Sequence, residues 1–275
     1  MRKPLLLLAS LLMLPVVPAL AQTRPAPAAP KLTLTPEERA QLEQAVIRGR
    51  MLWAIDRAGF VSSRDMQTRV PKAAQAEIEG WIAQPEGNGM AVTYFVKQGE
   101  GYAAIYKAQV LGGRVLSPQI YAAGNQPLLT GSAGRMAAAA EKAETLDQKP
   151  CNGPAFNRLV LPPEGSGPVI VYRLSPRMAA DRVPGGGFFR ITIAADGSVA
   201  EARDLGGACT NLPLPRVAAG QRPRPLEIVA REALLPNELH VFMSLWTQRD
   251  VAVATGSDRM RLWAVNRTGI AELPQ

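Results

Sequence analysis

Two cysteines, Cys151 and Cys209, are the only thiols in this 275-residue chain, and what they become depends on where the chain folds. The N-terminus speaks to that. Arg2 and Lys3 precede an apolar run over residues 5–20, which ends in Ala19-Leu20-Ala21 before Gln22. A basic start, an apolar centre and a small-residue cut are the parts of a cleavable signal peptide, here residues 1–21. A membrane span is the competing reading. Crossing hydrocarbon takes about 20 strongly apolar residues, and this run is shorter and broken by Pro15 and Pro18. No cysteine lies beside the cut to carry a lipid. The expected product is an exported chain with no transmembrane anchor after cleavage. In an oxidising compartment a lone pair of cysteines joins as one disulfide, and closing the loop between them contributes about 4 kcal/mol in the chain-entropy model. The rival reading makes Cys209 a catalytic thiolate served by His240, the only histidine. A free nucleophilic thiol outside the cytosol needs special protection, which favours the disulfide.

Removing the leader leaves 254 residues, enough for one large domain or two small ones. Hydrophobic residues at 47% and charged residues at 20% are those of a globular protein, while 24 prolines and 24 glycines call for many turns. The net charge of +8 falls to +6 without Arg2 and Lys3, a balance suited to anionic surroundings. Nucleic acid is not an expected partner, since aromatics are only 5% and the basic residues are scattered. One histidine and two cysteines do not supply a conventional zinc site. No metal and no cofactor are expected.

Residues 22–34, rich in proline and alanine, read as an extended tether. Thr35, Pro36 and Glu38 then supply an N-cap, a first-turn proline and a capping-box glutamate, starting a helix expected to end near residue 58, before Gly59. Leu42, Val46, Gly49 and Trp53 form its apolar stripe. Asp56 continues that stripe, as an acid–base candidate or as a carboxylate bonded to a structural donor. A short helix is expected over 72–83, then strands over 90–96, 102–111 and 114–121 in an antiparallel meander. A further helix starts at Thr130 and carries Met136, Ala139, Ala143 and Leu146 on one face. Its first turn presents Thr130, Gly131, Ser132 and Arg135, where a small anion could dock. The lysine of a phosphate-binding loop is missing, so an ordinary capped helix competes.

Beyond Pro150 the pattern is one of short strands: 159–161, 169–174, 188–194, 199–205, 226–230, 239–246, 251–255, 262–265 and 270–273. Asp196-Gly197 marks a tight hairpin between the third and fourth of these. Three glycines at 185–187 read as a turn rather than a lid. The proline-rich stretch 212–228, with Arg216, Arg222 and Arg224, reads as a long loop. Leu239, Val241, Met243 and Leu245 alternate with polar neighbours, which puts Glu238, His240 and Ser244 on one face of a strand. Alternate residues there are nearly 7 Å apart, which brings Glu238 near His240, and a Ser244-His240-Glu238 relay is the triad these residues could form. No GxSxG elbow accompanies it, and a half-exposed histidine on a sheet is the plainer reading.

The segments PCNGPAFNRLVLPP at 150–163, GGFFRITIAADGSV at 186–199 and NELHVFMSLW at 237–246 resemble parts of uncharacterised exported proteins of Gram-negative bacteria, with a fainter echo in GRMLWAIDRAG at 49–59. The resemblance implies a periplasmic setting and a shared fold that includes the cysteine pair. It implies no activity and no active site.

The expected architecture is α+β: antiparallel sheets with N-terminal helices over 35–149, then a β-rich half over 150–275 closed by one disulfide. The expected function is non-catalytic binding or scaffolding of an envelope protein or an anionic envelope polymer. A serine-type hydrolase using His240 and a binder of small anions at Thr130–Arg135 are the alternatives.

Overall fold

The computed structural model describes residues 34–274. The expected leader, and the tether up to residue 33, lie outside the described residues.

Helix α1 (Pro36–Arg69) begins as its sequence dictates: Thr35 accepts from the Glu38 amide, Glu38 reaches back to the Thr35 amide, and Pro36 stands in the first turn. It does not stop at Gly59. It runs on through Ser62 and Met66, both buried, and ends where Val70 precedes Pro71, a pairing that disfavours helix. Gly59 is there for closeness. A Cβ at that position would lie 2.4 Å from the Trp81 indole. The buried stripe is Leu42, Ala45, Gly49, Leu52, Ile55, Gly59, Ser62 and Met66, slightly rotated from the expected one, so Val46 and Trp53 are only half-buried.

The helix expected over 72–83 is a single turn, α2 (Lys72–Gln75), followed by strand β1 (Ile78–Glu86). Pairing decided the matter: Trp81, Ile82 and Ala83 face Tyr94, Thr93 and Val92 across an antiparallel ladder with β2 (Gly89–Gln98). Such partners override a weak local preference. Strands β3 (Gly101–Leu111) and β4 (Arg114–Ile120) complete the expected meander, in the order β1-β2-β3-β4. Helix α3 (Gly131–Glu144) follows.

In the second half, β5 (Asn157–Leu161), β6 (Val169–Leu174), β8 (Phe188–Ile193) and β9 (Val199–Asp204) form an antiparallel sheet ordered β5-β6-β8-β9. The Asp196-Gly197 hairpin joins β8 to β9 as expected, and β7 (Arg182–Pro184) pairs with β10 (Asn211–Pro213) in a small ribbon. The third four-stranded sheet is β11 (Leu226–Ala230), β12 (Val251–Thr255), β13 (Arg261–Val265) and β14 (Ile270–Glu272).

Residues 239–246, expected as a strand, are instead within helix α4 (Glu238–Thr247). Residues 238–244 are all buried, and in a segment buried on every side an apolar-polar alternation says nothing about period. The helix is what the topology needs. β11 and β12 are parallel, and parallel neighbours require a crossover, which α4 provides.

Two cores hold these layers. One sets α3 between the first two sheets, with Ile82 and Phe95 on one side and Val160, Val171 and Ile191 on the other. The second gathers residues of α1 and α4 with residues from every four-stranded sheet, from Leu42 to Val265. The halves 35–149 and 150–275 thus share a core, and the described residues 34–274 belong to one compact unit. Cys151 and Cys209 are joined, with a Cα separation of 5.1 Å. The whole is α+β, with antiparallel sheets apart from the β11–β12 pair.

Candidate functional site

A groove of about 1410 Å³ opens where the N-terminal half of α1, the end of β9 and strand β11 approach one another. Its floor is ionic. Tyr172 and Arg190 are cross-strand partners on β6 and β8, so their side chains leave the same face of the sheet. Both meet Glu238 in the first turn of α4: the Tyr172 hydroxyl donates to Oε1 at 2.6 Å and Arg190 Nη1 donates to the same atom at 3.1 Å. A carboxylate at that position also suits the helix dipole. Burial pushes the Glu238 carboxyl up, but the Tyr172 hydroxyl and the Arg190 guanidinium outweigh it and hold it below the usual range. Burial and the adjacent Glu238 charge drive the Tyr172 hydroxyl far up. The cluster ties α4 to the sheet.

One wall is residues 206–208, held close to the 185–187 glycines. A Cβ on Gly186 would fall 2.3 Å from the Gly207 carbonyl oxygen, so these glycines serve close approach, and the disulfide at Cys209 fixes the segment that follows. The opposite wall is β11. The Leu226 amide donates to the Asp250 carbonyl at 2.8 Å, so Leu226, Ile228 and Ala230 turn their backbone groups to β12, and Glu227 and Val229 turn theirs outward. β11 ends its sheet. Beside that free edge Val229 is 63% exposed and Leu234 79%.

Of the residues singled out by sequence, Glu238 and His240 line the groove, and His240, Ser244, Asp56, Ser132, Arg135 and Cys209 are held in structural bonds. His240 Nδ1 accepts from the Asn237 amide at 3.0 Å. Burial lowers its pKa to about 4, and a proton on that nitrogen would displace the capping bond. The Ser244 hydroxyl donates to the Arg249 carbonyl at 2.7 Å. On a helix, residues two apart point in nearly opposite directions, so Glu238 and His240 do not share a face and the relay is not assembled. Asp56 accepts from Asn157 Nδ2 at 2.7 Å, tying α1 to β5, and burial raises its pKa. At the start of α3, Thr130 makes no side-chain cap, Gly131 opens the helix, and Ser132 Oγ accepts from Gln84 at 3.0 Å. Arg135 donates to the carbonyls of Gly165 and Gly167, so both of its terminal nitrogens are engaged in structural bonds. Cys209, bonded to Cys151, is no thiolate.

Among the described residues, no group of three or more His, Cys, Asp or Glu is placed to hold a metal ion, and no helix is long and apolar enough to cross a membrane. Sequence reasoning passed over Tyr172, Arg190, Val229 and Leu234. The first two are ordinary strand residues until α4 is known to be a helix, and the last two look like core until β11 is known to be an edge. Comparison with protein-family models, with curated proteins and with solved structures returned no match.

Proposed function

We propose that the protein is an exported, periplasmic binding protein without catalytic activity, and that its groove takes an extended polypeptide segment of an envelope protein. One observation carries this reading: the free edge of β11, with its outward amides at Glu227 and Val229 and the exposed apolar side chains of Val229 and Leu234, borders a groove of about 1410 Å³. An added strand satisfies such an edge through main-chain bonds, and alternate side chains fill the space beside it. A polysaccharide lacks the alternating N–H and C=O groups that complement a strand, so polypeptide is the better fit than an anionic polymer. The ionisable groups on the floor are engaged with one another, which suits binding rather than turnover.

A photoreactive amino acid placed at Val229, and in a control at Leu116 on β4, tests the reading in exporting cells. The expected result is a crosslink from Val229 to a defined segment of an envelope protein, identified by mass spectrometry, and none from Leu116. No crosslink at Val229, or the same products from both positions, would sink it. N-terminal sequencing of the purified protein tests the export step separately, with Gln22 as the expected first residue.

A further inference from the structure

We propose that β9 is a self-association edge, through which two copies of this chain pair antiparallel across a two-fold axis at Ala202. β9 closes its sheet on one side, and residues 200–204 are all exposed. The direction of its free backbone groups follows from the ladder. Leu205 donates its amide to the Phe188 carbonyl at 2.8 Å, and Arg190 stands opposite Arg203, and Thr192 opposite Glu201. Pairs alternate between bonded and non-bonded in an antiparallel ladder. Glu201 and Arg203 therefore direct their backbone groups to β8, and Ala202 directs its N–H and C=O away from the sheet.

A second β9 can thus bond reciprocally at Ala202, the two alanines lying opposite each other on the axis. That register sets Glu201 of one copy directly opposite Arg203 of the other, twice over, because the contact is isologous. Oppositely charged residues facing each other across a ladder favour it. Within one copy, Glu201 pairs with both Arg203, at 3.4 Å, and Arg190, at 3.5 Å, which holds its carboxylate on the face of β9 that the Arg203 of a second copy would meet. The strand carries no proline, and the positions whose backbone groups face outward at its centre, Ala200 and Ala202, are alanines, which let a second backbone approach. Charged edges commonly repel a neighbour. Here the charges are arranged so that a copy in this one register is attracted instead.

Charge exchange tests the register. Glu201→Arg places arginine opposite arginine at both contacts, and Arg203→Glu places glutamate opposite glutamate. In sedimentation experiments on the purified protein, the wild type is expected to dimerise and each single variant to associate at least about tenfold more weakly. An equimolar mixture of the two variants is expected to dimerise again, since every contact then joins opposite charges. Circular dichroism confirms that each variant is folded. Should either fail to fold, the double exchange Glu201→Arg with Arg203→Glu, expected to dimerise, and Ala202→Pro, whose lost N–H faces away from β8, expected to be monomeric, carry the test. A wild type that is monomeric at its highest soluble concentration, a dimer indifferent to these changes, or a mixture that stays monomeric would overturn the proposal.

Discussion

The sheet of the first half and the sheets of the second half end in different ways. β4 is an edge carrying Pro118, with Ser117 in the left-handed region at φ 48°, and neither feature welcomes another strand. At the other edge β1 packs against β5, and Arg158 reaches across to the Glu79 carbonyl at 3.1 Å and to Glu144 at 2.9 Å. β9 and β11 carry no proline, and among the described residues each stands last in its sheet with no strand paired beyond it. Edges left open are a liability unless they are used. Within one chain, then, the first sheet is closed off and the second and third present edges, with the groove between them.

The groove between these edges is floored by Arg190 and Glu238, and breaking that pair gives the largest expected effect. Arg190→Ala would leave the Glu238 carboxylate buried with one partner gone, a change that costs about 3–5 kcal/mol. Urea unfolding at neutral pH measures it, and a loss below about 1 kcal/mol would mean the cluster does not anchor α4.

The next effect appears with pH. His240 stays neutral in the fold down to about pH 4, whereas the unfolded chain takes up a proton below about pH 6.5. Its contribution is therefore complete above pH 6.5 and is lost as the pH falls towards 4, by about 3 kcal/mol in total. His240→Gln should flatten stability against pH within that window. A slope unchanged by the substitution would show that the histidine is not the group responsible.

Smallest in stability, and most pointed for the comparison, is Pro118→Val. It should alter unfolding free energy by no more than about 0.5 kcal/mol, yet raise light scattering by giving β4 an open edge. Unchanged scattering would mean that something other than Pro118 closes that edge.

Much of the scaffold was legible in the residues themselves. The Thr35 capping box, the meander, the Asp196-Gly197 hairpin and the cysteine pair each rest on a local pattern or a single covalent possibility, and the structure shows all four. The failures have a common cause. Gly59 looks like a stop in the sequence and is a point of contact with Trp81. Period alone misplaces the 72–83 and 239–246 segments: pairing with β2 makes a strand of the first from Ile78 on, and complete burial accompanies a helix in the second. A signal for the second was present in Asn237 and Glu238, a cap and a first-turn acid directly after Pro236. The candidate site was less legible. Glu238 and His240 stand out in the sequence, but for a relay that the helix does not assemble. The Glu238 partners Tyr172 and Arg190, and the exposed Val229 and Leu234, become visible only once strand order is known, because an edge is a property of topology and not of any window of sequence.

Backbone amide exchange at Glu227 and Val229, followed by NMR with and without the partner segment identified by crosslinking, tests the central claim most directly. If that segment adds to β11, these two amides slow together on binding, while the amides of Ser117 and Gln119 on β4 keep their rates. A bound segment that leaves both β11 amides exchanging as before would contradict the account.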